Sequence, residues 1–249
     1  HEKIQEIIST GKSKKAESIK KDPDFYFIKE LTNYVYGIGP KKAKELVKKN
    51  KIKTIEELDK RKGEIQPNKR PLLNNKQVKG LLYFQDLHHR IPRKEMDRFA
   101  NEIDTIIKTN FDKSIHYIIA GSYRRGESSS GDIDILITSD LKDSSVLKQL
   151  VSLLKKNNLI CDDLVMGSKK YHGIAKLSGK NMKHRRLDIM YTDPEEYGFA
   201  KMYFTGSGEF NVMMREIVSK KKLRLNEYGI YEKQTKIDIP HKHTVVEEQ

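Results

Sequence analysis

From residue 4 to about residue 90 the apolar side chains recur every three or four positions, separated by polar, lysine-rich turns. Ile4, Ile7 and Ile8 form one apolar face, and Phe25, Phe27, Ile28 and Leu31 begin another. This is the spacing of helices with one buried side. Gly37-Ile38-Gly39-Pro40 interrupts the pattern, and Ala43, Leu46 and Val47 resume it. Thr54 reads as an N-cap with Glu57 at the capping-box position before Leu58. A further helix is predicted from Asn75 through Val78, Leu81, Leu82 and Leu87. From Pro92 a longer helix carries Met96, Phe99, Ile103, Ile106 and Ile107 into a region of different period. There Ile115–Ala120, Asp132–Thr138, Tyr171–Leu177 and Leu187–Tyr191 read as strands. Between them Val146–Leu154 is helical, with Leu147, Leu150, Val151 and Leu154 on one face.

The change of period near residue 90 predicts an all-helical part followed by an α+β sheet domain. The chain's 249 residues suffice for one large or two modest domains. Only 36% of residues are hydrophobic, but their periodic clustering marks a folded chain rather than a disordered one. No apolar run approaches the length of a membrane span, and no signal-peptide pattern opens the chain. The chain does open inside what reads as a helix, which leaves room for a trimmed targeting segment. The lone Cys161 forbids an internal disulfide and a cysteine-built zinc site, and points to a reducing intracellular setting. Beside Ile160 it is expected to be a small core-facing side chain. The net charge of +14 changes the picture more: it favours a polyanionic partner through counterion release. No basic amphipathic helix with exposed aromatics supports a membrane surface as that partner.

Within the basic helical part, Val35-Tyr36-Gly37-Ile38-Gly39-Pro40-Lys41-Lys42-Ala43 resembles a helix-hairpin-helix. Gly37 and Gly39 permit a tight turn that brings main-chain N–H groups up to a phosphate. Pro40 suits a first helical turn, and Lys41 adds charge there. Such a turn reads the DNA backbone, not its sequence. It can also hold a monovalent cation, Na+ or K+, on main-chain carbonyls, which by position are those of Asn33, Val35 and Ile38.

In Asp132-Ile133-Asp134-Ile135-Leu136-Ile137, strand alternation puts both carboxylates on one face and the isoleucines on the other. Two acids so close repel, and divalent cations resolve that repulsion while supplying Lewis acidity to a transferring phosphoryl group. An Asp-x-Asp is often only a solvated strand edge. Here Gly121-Ser122 precedes it, where N–H groups and a hydroxyl can cradle a triphosphate, with Arg125 as a second phosphate ligand and Ser130-Gly131 leading into Asp132. Asp188, in Arg185-Arg186-Leu187-Asp188-Ile189, is the candidate third acid, with Arg186 on its face to orient or tune it.

Five segments, in order, resemble the X family of DNA polymerases, most closely the polymerase beta type: Leu31 to Pro40, His89 to Met96, Gly121 to Asp134, His184 to Ile189 and Tyr203 to Ser207. The resemblance covers almost the whole chain. It implies a helical helix-hairpin-helix subdomain, a nucleotidyltransferase-type palm sheet and a C-terminal α/β subdomain. It divides the chain into the end of a lyase-like domain with its linker (1–22), a helical DNA-binding subdomain (23–90), a palm (91–192) and a nascent-base-pair subdomain (193–249). Asp132 and Asp134 would bind two Mg2+ ions, which Mn2+ can replace, and Asp188 would serve the ion beside the primer 3′-hydroxyl. Arg90, Ser122, Arg125, Ser130 and Gly131 match triphosphate-binding positions. Tyr203 and Phe204 match the segment that flanks the sugar and excludes a ribose 2′-hydroxyl, and in that family the Gly206–Ser207 peptide is cis. Asn211 and Arg215 match residues at the nascent pair and template strand, and Gly37, Gly39, Lys41 and Arg186 join Arg215 as DNA contacts.

The implied activity is template-directed gap filling in base-excision repair, by a monomer acting on gapped or nicked DNA with deoxynucleoside triphosphates. The expected compartment is the nucleus in a eukaryotic cell, with viral and organellar settings open. A template-independent terminal transferase, and a non-catalytic protein that binds gapped DNA, are the competing readings. Three departures stand out. Gly208 replaces an acidic residue near the incoming base, the Schiff-base lysine of the lyase domain would lie upstream of His1, and Glu-Glu-Gln falls short of the family's usual C-terminus.

Overall fold

The structure, a computed structural model, describes residue 5, residues 8–13 and residues 22–232. Ile4 and Ile7 of the first expected apolar face, and residues 233–249 of the expected last subdomain, lie outside it.

The helical spacing up to residue 90 becomes α1 (Phe25–Tyr34), α2 (Pro40–Lys44, continued as a π turn over Glu45–Lys49), α3 (Ile55–Arg61), α4 (Asn75–Leu82) and α5 (Phe84–Leu87). Their apolar stripes meet in one core that includes Leu31, Val35, Ile38, Leu46, Leu58, Leu72, Leu81 and Phe84. Thr54 caps α3 by accepting from the Glu57 N–H, while the Glu57 carboxylate accepts from the Lys53 N–H instead of that of Thr54. The reciprocal box belongs to Asn74 and Gln77 at the start of α4. The helix expected to run unbroken to Leu87 stops at Tyr83. The break turns Phe84 into the core and leaves Leu82 70% exposed.

The second region runs β1 (Ile91–Pro92), α6 (Arg93–Asn110), β2 (Ile115–Ile119), α7 (Gly121–Arg124), β3 (Ser129–Ser130), β4 (Ile133–Ser139), α8 (Ser145–Lys156), β5 (Ile160–Met166), β6 (Lys170–Ala175) and β7 (Arg185–Tyr191). It closes with α9 (Tyr197–Thr205), α10 (Gly208–Lys220), β8 (Leu223–Leu225) and β9 (Ile230–Glu232). Five strands form a sheet in the order β2-β4-β7-β6-β5, in which β4 and β7 are parallel and the other neighbours antiparallel. One face buries Ile133, Ile135, Ile137, Leu187, Ile189 and Tyr191 against the apolar stripes of α6 and α8. On the other face Leu136 and Met190 pack under Ala200 of α9.

β5 was not expected from the sequence pattern, because Asp162 and Asp163 break its apolar run. As the edge strand it tolerates them: the pairing with β6 slips beside each acid, and Lys79 and Lys155 neutralise them. Alternation along this edge also corrects the reading of Cys161. Ile160 is buried and Cys161 points outward, exposed.

The two parts are joined by polar contacts as well as by the chain. Lys79 on α4 pairs with Asp162 at 2.7 Å, and Asp86 on α5 accepts from the His184 N–H at 2.9 Å. α4 also abuts the turn after α1: a Cβ on Gly80 would overlap the main chain of Tyr36, and the Gln77 side chain donates to the Gly37 carbonyl at 3.0 Å. Gly80→Ala is therefore expected to destabilise the protein by about 1–3 kcal/mol through overpacking, read as a lower melting temperature and urea midpoint. Gly63→Ala, whose added methyl meets nothing within 4 Å, is expected to stay within about 0.5 kcal/mol. Equal melts for the two variants would contradict this close packing.

Candidate active site

Asp134 and Asp188 are register partners on the parallel strands β4 and β7, so their carboxylates rise side by side from neighbouring strands. Asp132, one residue before β4, shares the face of Asp134. One oxygen from each of the three acids lies within 4.8 Å of the others. Gly121 makes room for this cluster. Its φ of +57° favours glycine, and a Cβ there would overlap the Asp134 carboxylate.

Charge balance at the cluster is incomplete. Arg186, two residues before Asp188 on the same face, donates from Nη2 to Asp132 and to Asp188 Oδ2, the latter at 2.9 Å. Burial opposes its positive charge, yet Asp188, Asp132 and Asp134 together hold its pKa above the ordinary arginine value. Burial likewise raises Asp132, and the Asp188 charge adds to the rise against the pull of Arg186. Asp134 goes furthest: burial, then the charges of Asp132 and Asp188, push it up to about 8. One guanidinium does not offset three clustered carboxylates. An all-oxygen donor set with excess negative charge, cradled at a glycine, suits a hard divalent cation such as Mg2+ or Mn2+.

Two clefts meet at Asp132. The first, about 460 Å³, is lined by Asp132 and Asp134 together with Arg90, Ser122, Arg125, Gly131, Tyr203, Phe204, Gly206, Ser207, Gly208 and Asn211. The expected triphosphate and sugar positions are thus gathered there, with one exception. Ser130 is 1% exposed and sits in the short β1–β3 ladder opposite Ile91, so its side chain does not line the cleft. Arg90 donates to the Ser129 hydroxyl and carbonyl, both at 2.7 Å, and Arg125 donates to the Thr205 carbonyl at 2.8 Å. Arg93 fixes the intervening loop from below, donating to the carbonyls of Tyr123 and Glu127 and stacking on the Tyr123 ring. The Gly206–Ser207 peptide is cis. Asn211 donates to the Tyr203 carbonyl at 2.8 Å, and the exposed Arg215 guanidinium lies 5.5 Å from the Tyr203 ring centre.

The second cleft, about 570 Å³, shares Arg90, Gly131 and Asp132 with the first. Arg186 lines it from the sheet, and Asn33, Val35, Gly37, Ile38 and Gly39 line it from the helical part. Here α1 turns through Gly37, at φ +82°, into α2, with Pro40 in its first turn. Ile38 is buried, and its N–H donates to the Val35 carbonyl at 3.0 Å. Lys41 is exposed on α2 and lines neither cleft.

Two residues near the acids escaped the sequence analysis. His172 on β6 is the register partner of Asp188, and its Nδ1 stands 2.9 Å from Asp188 Oδ1. Tyr36 approaches from the helical part; burial and the Asp188 charge raise its phenol above the ordinary value. His172 lies in no motif, and the hairpin motif that contains Tyr36 does not mark it as a neighbour of the acids. Only the strand pairing and the docking of the helices bring them here.

A parallel strand pair bearing facing carboxylates, backed by two helices and entered through a glycine-serine turn, is a palm-type sheet of the nucleotidyltransferase kind. Residues 90–194 match the family model for the DNA polymerase beta palm, and residues 200–245 match that for the DNA polymerase beta thumb. The chain is 30% identical over 239 residues to DNA polymerase lambda of Rattus norvegicus and 29% identical over 240 residues to that of Arabidopsis thaliana. It is 26% identical over 267 residues to DNA nucleotidylexotransferase of Xenopus laevis. The chain belongs to the X family of DNA polymerases. Each of these matches takes in 92% of the chain but only 39%, 43% and 51% of the respective relative. No helix among the described residues is long and apolar enough to cross a membrane.

Mg2+ or Mn2+ is expected to raise the melting temperature by roughly 2–4 °C for each ~1 kcal/mol of binding linkage. Asp134→Asn, which removes one of the repelling charges, is expected to melt higher than wild type in EDTA and to lose most of the metal response. Identical wild-type melts in EDTA, Mg2+ and Mn2+ would count against a cation site.

Proposed function

We propose that this chain adds deoxynucleotides to a primer 3′-hydroxyl under the direction of a template, filling short gaps in base-excision repair. The observation that carries this reading is the register pairing of Asp134 with Asp188 next to Asp132, which lines both clefts. Two divalent ions bound by these acids would supply Lewis acidity to the transferring phosphoryl group.

The chain's own residues do the rest. Arg90, Arg125, the Ser122 hydroxyl and the main chain at Gly131 hold the triphosphate in the first cleft, and Ser130 acts through the loop that it anchors. Tyr203 and Phe204, with the turn at Gly206, close on the sugar and leave no room for a 2′-hydroxyl. Asn211 and Arg215 meet the minor-groove edge of the nascent pair and the template strand, and Gly208 leaves the base side open. Asp188 faces the attacking 3′-hydroxyl, oriented by Arg186, which also contacts the primer strand from the second cleft. The turn over Gly37 to Lys41 grips the DNA backbone, and the carbonyls of Asn33, Val35 and Ile38 would hold a Na+ or K+ ion there.

In the division proposed, residues 23–90 are the DNA grip, 91–192 the palm and 193–249 the nascent-pair subdomain, with residues 1–22 belonging to a lyase-like domain and its linker. The chain works as a monomer on gapped or nicked DNA, which in a eukaryotic cell would place it in the nucleus. A second reading, untemplated terminal addition, draws on the likeness to a DNA nucleotidylexotransferase.

Asp188→Ala is expected to lower single-nucleotide incorporation by at least about a thousandfold while leaving gapped-DNA affinity within about threefold. These magnitudes follow from losing electrostatic stabilisation formed at the reacting atoms rather than general binding. Gel-based primer extension and fluorescence anisotropy check the two halves. Extension at the wild-type rate would remove Asp188 from the mechanism.

A further inference from the structure

Each carboxylate oxygen of Asp188 is held by a different strand. Oδ2 accepts from Arg186, two residues away on β7, and Oδ1 lies 2.9 Å from His172 Nδ1 on the adjacent β6. An ionised carboxylate only accepts, so Nδ1 carries the proton, and the neutral imidazole tautomer is sufficient. The contact is well placed for control. The Asp188 side chain is 13% exposed and that of His172 32%, so the hydrogen bond is shielded without being sealed.

His172 in turn has a neighbour from the helical part. Its ring centre is 6.5 Å from that of Tyr36, and Lys76 Nζ lies 5.0 Å from the Tyr36 ring centre. Tyr36 has little freedom, because α4 packs on its main chain at Gly80 and Gln77 holds the next carbonyl. A side chain in the middle of a sheet strand, on the face of the acids, linked to Asp188 and neighboured by an aromatic, has no packing need for an imidazole.

We propose that His172 is a positioning residue for Asp188, fixing the carboxylate through the Nδ1–Oδ1 hydrogen bond so that its other oxygen is presented to the reacting centre. This rests on the polymerase reading given above. Partners that orient a ligating or reacting carboxylate are typically worth about 10–100-fold in metal affinity or activity when removed.

The test compares His172→Leu, which keeps bulk and loses the donor, with His172→Asn, whose amide nitrogen can occupy the place of Nδ1. Both are assayed on one-nucleotide-gapped DNA for kcat and for the KM of the incoming nucleotide, and both are titrated with Mn2+ by electron paramagnetic resonance. His172→Leu is expected to lose about tenfold or more in kcat and several-fold in Mn2+ affinity, with KM and gapped-DNA affinity within about twofold. His172→Asn should recover most of both losses. A His172→Leu variant with wild-type kcat and Mn2+ affinity would overturn the proposal, and so would a His172→Asn variant as impaired as His172→Leu. If the wild type incorporated nothing while His172→Leu still weakened Mn2+ binding and His172→Asn restored it, the positioning role would stand and the polymerase reading would fall.

Discussion

Three carboxylates with oxygens within 4.8 Å of one another repel strongly, and much of this molecule serves to hold them against that repulsion. Parallel pairing of β4 with β7 fixes two of them side by side, and the apolar undersides of those strands are clamped by α6 and α8. Arg186 relieves part of the charge, Gly121 removes the one Cβ that would collide with it, and His172 steadies its outer edge. Such stored electrostatic tension is unfavourable for the fold and favourable for a site that must take up cations.

The bracing extends beyond the sheet. Arg185, only 4% exposed in its side chain, makes a two-pronged ion pair with Glu95 on α6 and donates to the His89 carbonyl. It thereby ties the strand of Asp188 to the segment that presents Arg90. Asp86 with His184, next to Arg185, and Lys79 with Asp162 on the edge strand fasten the helical part to the same sheet. The turn expected to grip DNA and the acids expected to act on it are thus connected by short polar contacts. Tyr36 and His172, with ring centres 6.5 Å apart, add an aromatic contact next to Asp188.

Much of this was legible in the sequence, for a physical reason. Long amphipathic stretches such as Met96–Ile107 and Leu147–Leu154 carry their burial pattern locally, and every apolar residue assigned to those faces is buried. Asp132 and Asp134 declare themselves because alternation fixes their shared face without knowledge of any partner strand. What stayed hidden depends on distant pairing. β5 carries acids that only an edge position and two lysines make tolerable. His172 gains its meaning from facing Asp188 across a strand boundary. Ser130 belongs to a motif, yet the two-residue ladder with Ile91 turns it inward. The break at Tyr83 and the outward Cys161 were likewise set by tertiary packing, not by local propensity.

The central claim is that Asp132, Asp134 and Asp188 form a divalent-cation site, with Arg186 covering only part of their charge. Anomalous diffraction from crystals soaked in Mn2+ tests it most directly. The account predicts manganese density bridging all three carboxylates, with at least one oxygen of each acid as a ligand. Manganese sites confined to other surface acids, with Arg186 still joined to both Asp132 and Asp188, would contradict it.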